Sequence, residues 1–304
     1  MVGAAVAALG LVPAIPAAAA PVKPSIIHVV GALDQATQLA QPVKGQPFDI
    51  SFIVTDDTGT AAPLKKATTF TVSAPGGPEL TGTSTVTLAK GATGGTISGA
   101  VYSSFGNGIE MTVSSDALTT GSSTFNVLAQ AYRSNQEALP GRNLTVSNPG
   151  CTEATPDLPV CLSQLLLPNG GQGFPTLSEG SCDGIEGLSC LSSGDTQGLL
   201  VEALADMKNS ADASLYTRDA PATMVIRCDK TLCGSGGVPS YSLAVDVDGD
   251  GAASFEDAPV CPAKGVIASD GPAFCFDTVQ STRDNSGDLI AYVLFAGDVR
   301  ASFK

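Results

Sequence analysis

Phe48-Asp49-Ile50-Ser51-Phe52-Ile53-Val54 alternates apolar and polar side chains until its final apolar pair. Successive side chains of a strand point to opposite faces, so Phe48, Ile50, Phe52 and Val54 share one face and Asp49 and Ser51 the other. The same period recurs on both sides. Ile27 and Val29 flank His28. Phe70 and Val72 alternate with Thr69 and Thr71, and Val86 and Leu88 with Thr85 and Thr87. Ile97 and Val101, then Ile109, Met111 and Val113, then Phe125 and Val127 continue the pattern. Turn residues separate these runs: Asp56-Asp57-Thr58-Gly59, Pro75-Gly76-Gly77-Pro78, Lys90-Gly91, Phe105-Gly106-Asn107-Gly108 and Thr120-Gly121. About seven half-buried strands at this spacing predict a β-sandwich over residues 20–130.

The stretches Gly82-Thr83 through Thr87-Leu88, Gly95-Thr96-Ile97-Ser98-Gly99, Ile109-Glu110-Met111-Thr112-Val113 and Gly121-Ser122-Ser123-Thr124-Phe125-Asn126-Val127 resemble bacterial immunoglobulin-like modules of exported proteins. The resemblance covers about a third of the chain and implies a spacer or binding module. A fold of this kind does not by itself specify an activity.

Residues 1–19 read as a secretory signal. Val2 to Ala20 is an apolar run ending in small residues, with Ala17-x-Ala19 marking cleavage after Ala19. The basic stretch that usually precedes such a run is missing, which fits a true start upstream of Met1. Pro13 and Pro16 argue against a buried helix. No other apolar run approaches the ~18 residues of a membrane span.

Residues 131–150 lose all periodicity. Arg133, Gln136, Pro140, Gly141, Arg142, Pro149 and Gly150 interrupt the segment, and a linker or long crossover is expected. Residues 151–304 form the second unit, and all eight cysteines lie in it, from Cys151 to Cys275. An even number in an exported chain implies disulfides. Eight cysteines admit on the order of a hundred connectivities, and four successive local pairs are expected. No Cys-x-x-Cys occurs and no His is nearby, which argues against zinc.

Strands are expected at Leu162–Leu167, Ala222–Cys228, Ser240–Val247 and Phe274–Gln280. Asp288 to Phe295 is apolar on both faces and should be central. Leu199, Leu200, Ala203, Leu204 and Met207, with Asp195 as N-cap, predict one helix. Gly234-Ser235-Gly236-Gly237 predicts a hairpin turn. Cys228-Asp229-Lys230-Thr231-Leu232-Cys233, Cys261-Pro262-Ala263-Lys264-Gly265 and Arg283-Asp284-Asn285-Ser286-Gly287-Asp288 are similar to a Cys-rich module found beside such Ig-like domains in exported actinobacterial proteins. That resemblance implies architecture and export, and no activity. The expected fold class is therefore all-β: an Ig-like β-sandwich followed by a disulfide-rich, mostly β second domain.

One constellation carries chemistry. In Asp246-Val247-Asp248-Gly249-Asp250-Gly251-Ala252-Ala253-Ser254-Phe255-Glu256-Asp257, carboxylates occupy positions 1, 3, 5 and 12 and glycine position 6. Ca²⁺ takes about six to eight oxygen ligands, and alternate residues of a tight loop can aim them inward. Asp246, Asp248 and Asp250 would give side-chain oxygens, Ala252 its carbonyl, Ser254 a direct or water-mediated contact, and Asp257 the closing carboxylate. The ion would be structural. The loop resembles those of dockerins and other exported calcium modules. It departs from an EF-hand, because Pro259 and Pro262 forbid an exiting helix. No second loop is present, which argues against a cohesin-binding dockerin. The alternative is a solvated acidic turn between strands.

Charge narrows the functions further. Lys and Arg number 15 against 29 Asp and Glu, for a net charge of −14 with no basic cluster, so nucleic acid is not expected as a partner. His28 is the only histidine, and it sits in a strand pattern. The expectation is a secreted or cell-surface, non-enzymatic protein for adhesion, binding or structure, with a cell-envelope protein or glycan as partner. The alternatives are a carbohydrate-binding module using Tyr102, Tyr132, Tyr216, Tyr241 or Tyr292, or a carboxylate-based hydrolase, whose chemistry needs no histidine.

Overall fold

The computed structural model describes residues 23–76, 80–168, 172–183, 185, 188, 190–193, 196–206, 216–237, 243–246, 255–296 and 300–303. The expected signal segment lies outside them. The first module contains β1 (Ile26–Asp34), β2 (Pro47–Thr55), β3 (Thr68–Ser73), β4 (Thr81–Gly82), β5 (Thr85–Leu88), β6 (Gly94–Val101), β7 (Gly106–Ser115) and β8 (Leu118–Val127). Their spatial order is β4-β6-β2-β1-β8-β7-β3-β5. The middle of this path is a single parallel pairing, Ile26 opposite Thr119. Its two arms, β4-β6-β2-β1 and β8-β7-β3-β5, are antiparallel throughout.

The sheet curls at that seam, so that its two arms share one core. Phe48, Ile50, Phe52 and Val54 of β2 are buried there with Phe70 and Val72 of β3 and Met111 and Val113 of β7. The Phe52 and Phe70 ring centroids are 4.6 Å apart. In chain order the first arm holds strands one, two, four and six, and the second holds three, seven and eight plus the short β5. The seam requires a glycine: a Cβ on Gly121 would fall 2.1 Å from the Ile27 carbonyl oxygen. The polar half of the alternation forms cross-strand hydroxyl pairs, Thr69 with Thr87 at 2.8 Å and Ser73 with Thr112 at 2.7 Å.

The second module contains β9 (Gln130–Arg133), β10 (Leu144–Ser147), β11 (Val160–Leu167), β12 (Gln172–Ser181), β13 (Ser192–Ser193), β14 (Thr196–Gln197), β15 (Leu199–Asp206), β16 (Ala222–Cys228), the single-turn α1 (Lys230–Cys233), β17 (Leu243–Asp246), β18 (Phe255–Asp257), β19 (Phe274–Phe276), β20 (Thr282–Arg283), β21 (Leu289–Phe295) and β22 (Arg300–Phe303). One sheet runs β10-β11-β16-β21-β19, with β20 also on β21; the other runs β18-β17-β22-β15-β12-β9. Their common core includes Leu162 and Leu165 of β11, Met224 and Ile226 of β16, Ala291 and Val293 of β21, and Leu177, Leu199 and Val201 from the facing sheet. The described residues are all-β apart from α1, as the alternation predicts.

The cysteines pair locally: Cys151–Cys161, Cys182–Cys190, Cys228–Cys233 and Cys261–Cys275. No cysteine is free. The expected strand Ala222–Cys228 is β16, and β21 is interior to its sheet.

Three expectations are corrected. Residues 131–150 are not a linker: β9 and β10 are edge strands of the two sheets, and Ala138 and Val146 are core residues. Four-residue edge strands between prolines and glycines are too short to show a period. The expected helix at 199–207 is the strand β15, paired with β12 from Ser181 opposite Leu199 to Thr176 opposite Leu204. Leu199, Leu200 and Val201 are all buried, and a strand covered on both faces gives a continuous apolar run that also satisfies helical spacing. Asp195, its expected cap, lies outside the described residues. Gly234 ends α1 at φ 64° rather than opening a hairpin, because β16 and β17 belong to different sheets.

Candidate functional site

The two ends of the acidic stretch lie on paired strands. β17 and β18 pair antiparallel with Asp246 opposite Phe255 and Ala244 opposite Asp257. The register therefore brings the first and last carboxylate positions within two steps of one ladder. A strand, β18, leaves the loop, in keeping with the prolines that follow. Asp248, Asp250, Ala252 and Ser254 lie outside the described residues. Among the described residues, no group of three or more His, Cys, Asp or Glu is arranged to hold a metal ion.

The two modules meet without a spacer, since only Leu128 and Ala129 separate β8 from β9. Leu128 N–H donates to the Pro42 carbonyl and Lys44 N–H donates to the Leu128 carbonyl, both at 2.9 Å. Ala129 N–H donates to the Glu179 carbonyl at 2.8 Å. Asn107, in β7, spans the junction: its Nδ2 donates to the Ser181 carbonyl at 2.9 Å and the Asp183 carbonyl at 2.6 Å. Beside it lies a cleft of about 510 Å³. Its first-module side holds Lys44, whose ammonium sits 5.6 Å from the Phe105 ring centroid, and its second-module side holds Asp157 and Asp183. No His or Cys lines it among the described residues.

Glu179 is the most perturbed carboxylate. It lies on β12 two residues from Leu177, so it enters the same interior, and it is fully buried. Leu162 N–H donates to its Oε1 at 2.7 Å, while Oε2 has no partner. Burial pushes its carboxyl up to about 8, partly offset by the Leu162 hydrogen bond. Asp277 is the converse. Burial alone would raise its carboxyl, but hydrogen bonds from Gly265 N–H, the Gln280 side chain and the Gln280 and Val279 amides hold it below the usual carboxylate range. Both groups act on structure: one satisfies a strand amide between two sheets, and the other ties its own turn, through Val279 and Gln280, to Gly265 of the preceding loop.

The outer face of β10-β11-β16-β21 carries a second cavity, of about 320 Å³. Register aligns Ser147, Gln164, Val225 and Tyr292 in one row across four strands. The neighbouring row holds Arg227 opposite Ile290. Arg227 Nη1 lies 3.0 Å from Asp284 Oδ2, and Ser286 and Asp288 amides fix the other Asp284 oxygen. Sequence reasoning missed Gln164 and Arg227, which stand in unrelated segments and meet only through strand register. Of the candidate tyrosines, Tyr102 and Tyr216 are core residues and cannot present a ring, Tyr132 and Tyr292 are half-buried, and Tyr241 lies outside the described residues. His28 is an exposed strand residue with Nε2 3.0 Å from Thr55 Oγ1.

The fold and these features define a class: a two-module, all-β protein whose four disulfides belong to an oxidising compartment. Among the described residues, no helix is long and apolar enough to cross a membrane. No protein-family model, curated protein or solved structure matches the chain.

Proposed function

We propose that this is a secreted or cell-surface binding protein without enzymatic activity, stabilised by one structural Ca²⁺ and engaging a protein or glycan of the cell envelope. The observation that carries this reading is the closure of all eight cysteines into four local disulfides within a β scaffold. Such crosslinks persist outside the reducing cytosol. The calcium part is supported by the β17–β18 register, which places Asp246 and Asp257 two steps apart on one ladder. An ion held only by protein oxygens has no open position for substrate, so its contribution is to folding.

The test is thermal unfolding of the mature, oxidised protein in millimolar Ca²⁺ and in excess chelator, beside Asp250→Ala. The midpoint is expected to rise with Ca²⁺ and the rise to vanish in the variant, because a ligand bound only by the native state stabilises it. Superimposable curves in all conditions would overturn the calcium site. Turnover on a panel of glycosidic and peptide substrates would overturn the non-enzymatic reading.

A further inference from the structure

We propose that the Cys182–Cys190 bridge is a redox-sensitive clamp on the module junction. A dithiol reductant opens it while the other three bridges stay closed, and its opening releases the contact between Asn107 and Asp183.

The four bridges are not equally placed. Cys161 stands in β11, Cys228 in β16, Cys233 in α1 and Cys275 in β19. Each of the three bridges they form therefore has at least one cysteine inside a strand or helix, and both of its cysteines are at most 5% exposed. The fourth bridge has neither protection. Cys182 follows the end of β12 at Ser181, and Cys190 precedes β13. Cys182 is buried, but Cys190 is half-buried. The described backbone hydrogen bonds between the two are long: Ile185 N–H donates to the Cys182 carbonyl at 3.4 Å and Leu188 N–H to the Ile185 carbonyl at 3.3 Å. A disulfide is reduced by a thiolate that must reach one of its sulfurs, so access and local opening set the order in which bridges yield. Both single out Cys190.

The exchange balances. A reductant thiolate bonds to Cys190 Sγ, the bond to Cys182 Sγ breaks, and Cys182 leaves as a thiolate that takes up a proton. The reductant's second thiol, having lost its own proton, then displaces Cys190, which is protonated in turn. Two electrons pass from the dithiol to the bridge, and the dithiol ends as its own disulfide.

The junction feels this step because Cys182 lies between the two carbonyls that Asn107 Nδ2 donates to, those of Ser181 at 2.9 Å and Asp183 at 2.6 Å. Ser181 is secured by the β12 ladder, opposite Leu199. Asp183 lies past the ladder. Its amide donates to Ser181 Oγ at 3.1 Å, and the bridge fixes its neighbour. Opening the bridge removes the covalent tie, so the Asp183 carbonyl leaves Asn107 while the Ser181 carbonyl stays. Asp183 also lines the junction cleft that Lys44 and Phe105 line from the first module, so the reduced protein presents a different wall there.

Titration of the intact oxidised protein with dithiothreitol, then alkylation with iodoacetamide and peptide mapping, tests the order. The first product is expected to carry alkyl groups on Cys182 and Cys190, with the other six cysteines unlabelled. At that dithiol concentration the Asn107 side-chain amide should shift in NMR spectra and its protons exchange roughly tenfold faster, as for the loss of one hydrogen bond. Ala129 N–H, bonded to the Glu179 carbonyl across the junction, should keep its protection. Replacing both cysteines, Cys182→Ser with Cys190→Ser, should reproduce the Asn107 shift with no reductant present. Another pair reduced first, all four bridges yielding together, or none yielding before the protein unfolds would overturn the proposal. So would an Asn107 amide unchanged after selective reduction.

Discussion

Glu179 Oε1 accepts a hydrogen bond from Leu162 N–H at 2.7 Å across the gap between the two sheets of the second module. The amide is available because β11 is irregular there: its register against β16 shifts between Leu162 and Gln164. A bulge leaves a backbone donor outside the ladder, and a buried donor must find an acceptor. A carboxyl from the facing sheet meets that need, at the cost of burying an ionisable group whose second oxygen is unpartnered.

The pH dependence follows from the direction of the shift. Glu179 titrates near 8 when folded against an ordinary value of 4.5. Between those values the folded state keeps the proton and the unfolded state releases it. Its contribution is therefore fully present below the unfolded value and is lost as pH rises, with a slope of up to roughly 1.4 kcal/mol per unit. Urea unfolding at pH 5, 6.5 and 8 should show wild type losing stability across this range. Glu179→Gln retains an acceptor for Leu162 without a charge, so its profile should be flatter. Glu179→Ala should be destabilised by about 1–3 kcal/mol even at pH 5, where the wild-type acid is neutral. Parallel pH profiles for wild type and Glu179→Gln would contradict this account.

Asp277 should behave in the opposite sense. Its carboxyl is depressed when folded despite burial, because amides of Gly265, Val279 and Gln280 and the Gln280 side chain converge on it. Its stabilisation is present above the unfolded carboxylate value and is lost as pH falls through the folded one. Asp277→Asn should lower the unfolding midpoint at pH 7, with the difference from wild type shrinking below about pH 4. A constant difference from pH 7 to pH 2 would show that shape, not charge, is what the loops require.

What the sequence made legible was local. Phe48 to Val54 declared a strand by its own alternation, and β16 stands at Ala222–Cys228, where its residues predicted it. Local cysteine pairing followed because each partner lies within 14 residues of the other. Elements whose character depends on distant partners were not legible. β10 is four residues long and exists because β11 pairs with it; β15 is a strand because β12 and β22 flank it. The cavity on the outer face of β10-β11-β16-β21 is the same case. Gln164, Val225 and Tyr292 share a row only because three strands adopt one register, and no spacing along the chain records that. The acidic stretch was legible as a motif, and the register of the flanking strands adds that Asp246 and Asp257 stand two steps apart on one ladder.

The Cys261–Cys275 loop is held from two sides, and the two restraints should prove interdependent. Within it, the disulfide supplies half of a small cluster completed by Ile267 and Leu294. From outside, Arg218 directs its guanidinium at the loop backbone, donating to the carbonyls of Ala268, Gly271 and Pro272. Opening a 14-residue loop costs about 3 kcal/mol in chain entropy, but only if the loop is then free in the unfolded ensemble and still ordered in the native one. With Cys261 and Cys275 both replaced by Ala, Arg218 still fixes the loop's carbonyls, so the native fold should survive with lowered stability. Arg218→Ala alone should leave the crosslinked loop in place and cost less, about 1–2 kcal/mol for charge-assisted bonds partly replaced by water. Together the changes should release residues 261–275, and protection from hydrogen exchange should then collapse at the residue-261 amide, which in the unsubstituted chain is Cys261 N–H donating to the Phe276 carbonyl at 3.0 Å. A double-mutant cycle measures the coupling. A combined loss equal to the sum of the two single losses, with the residue-261 amide still protected, would show that β19 holds the loop without either restraint.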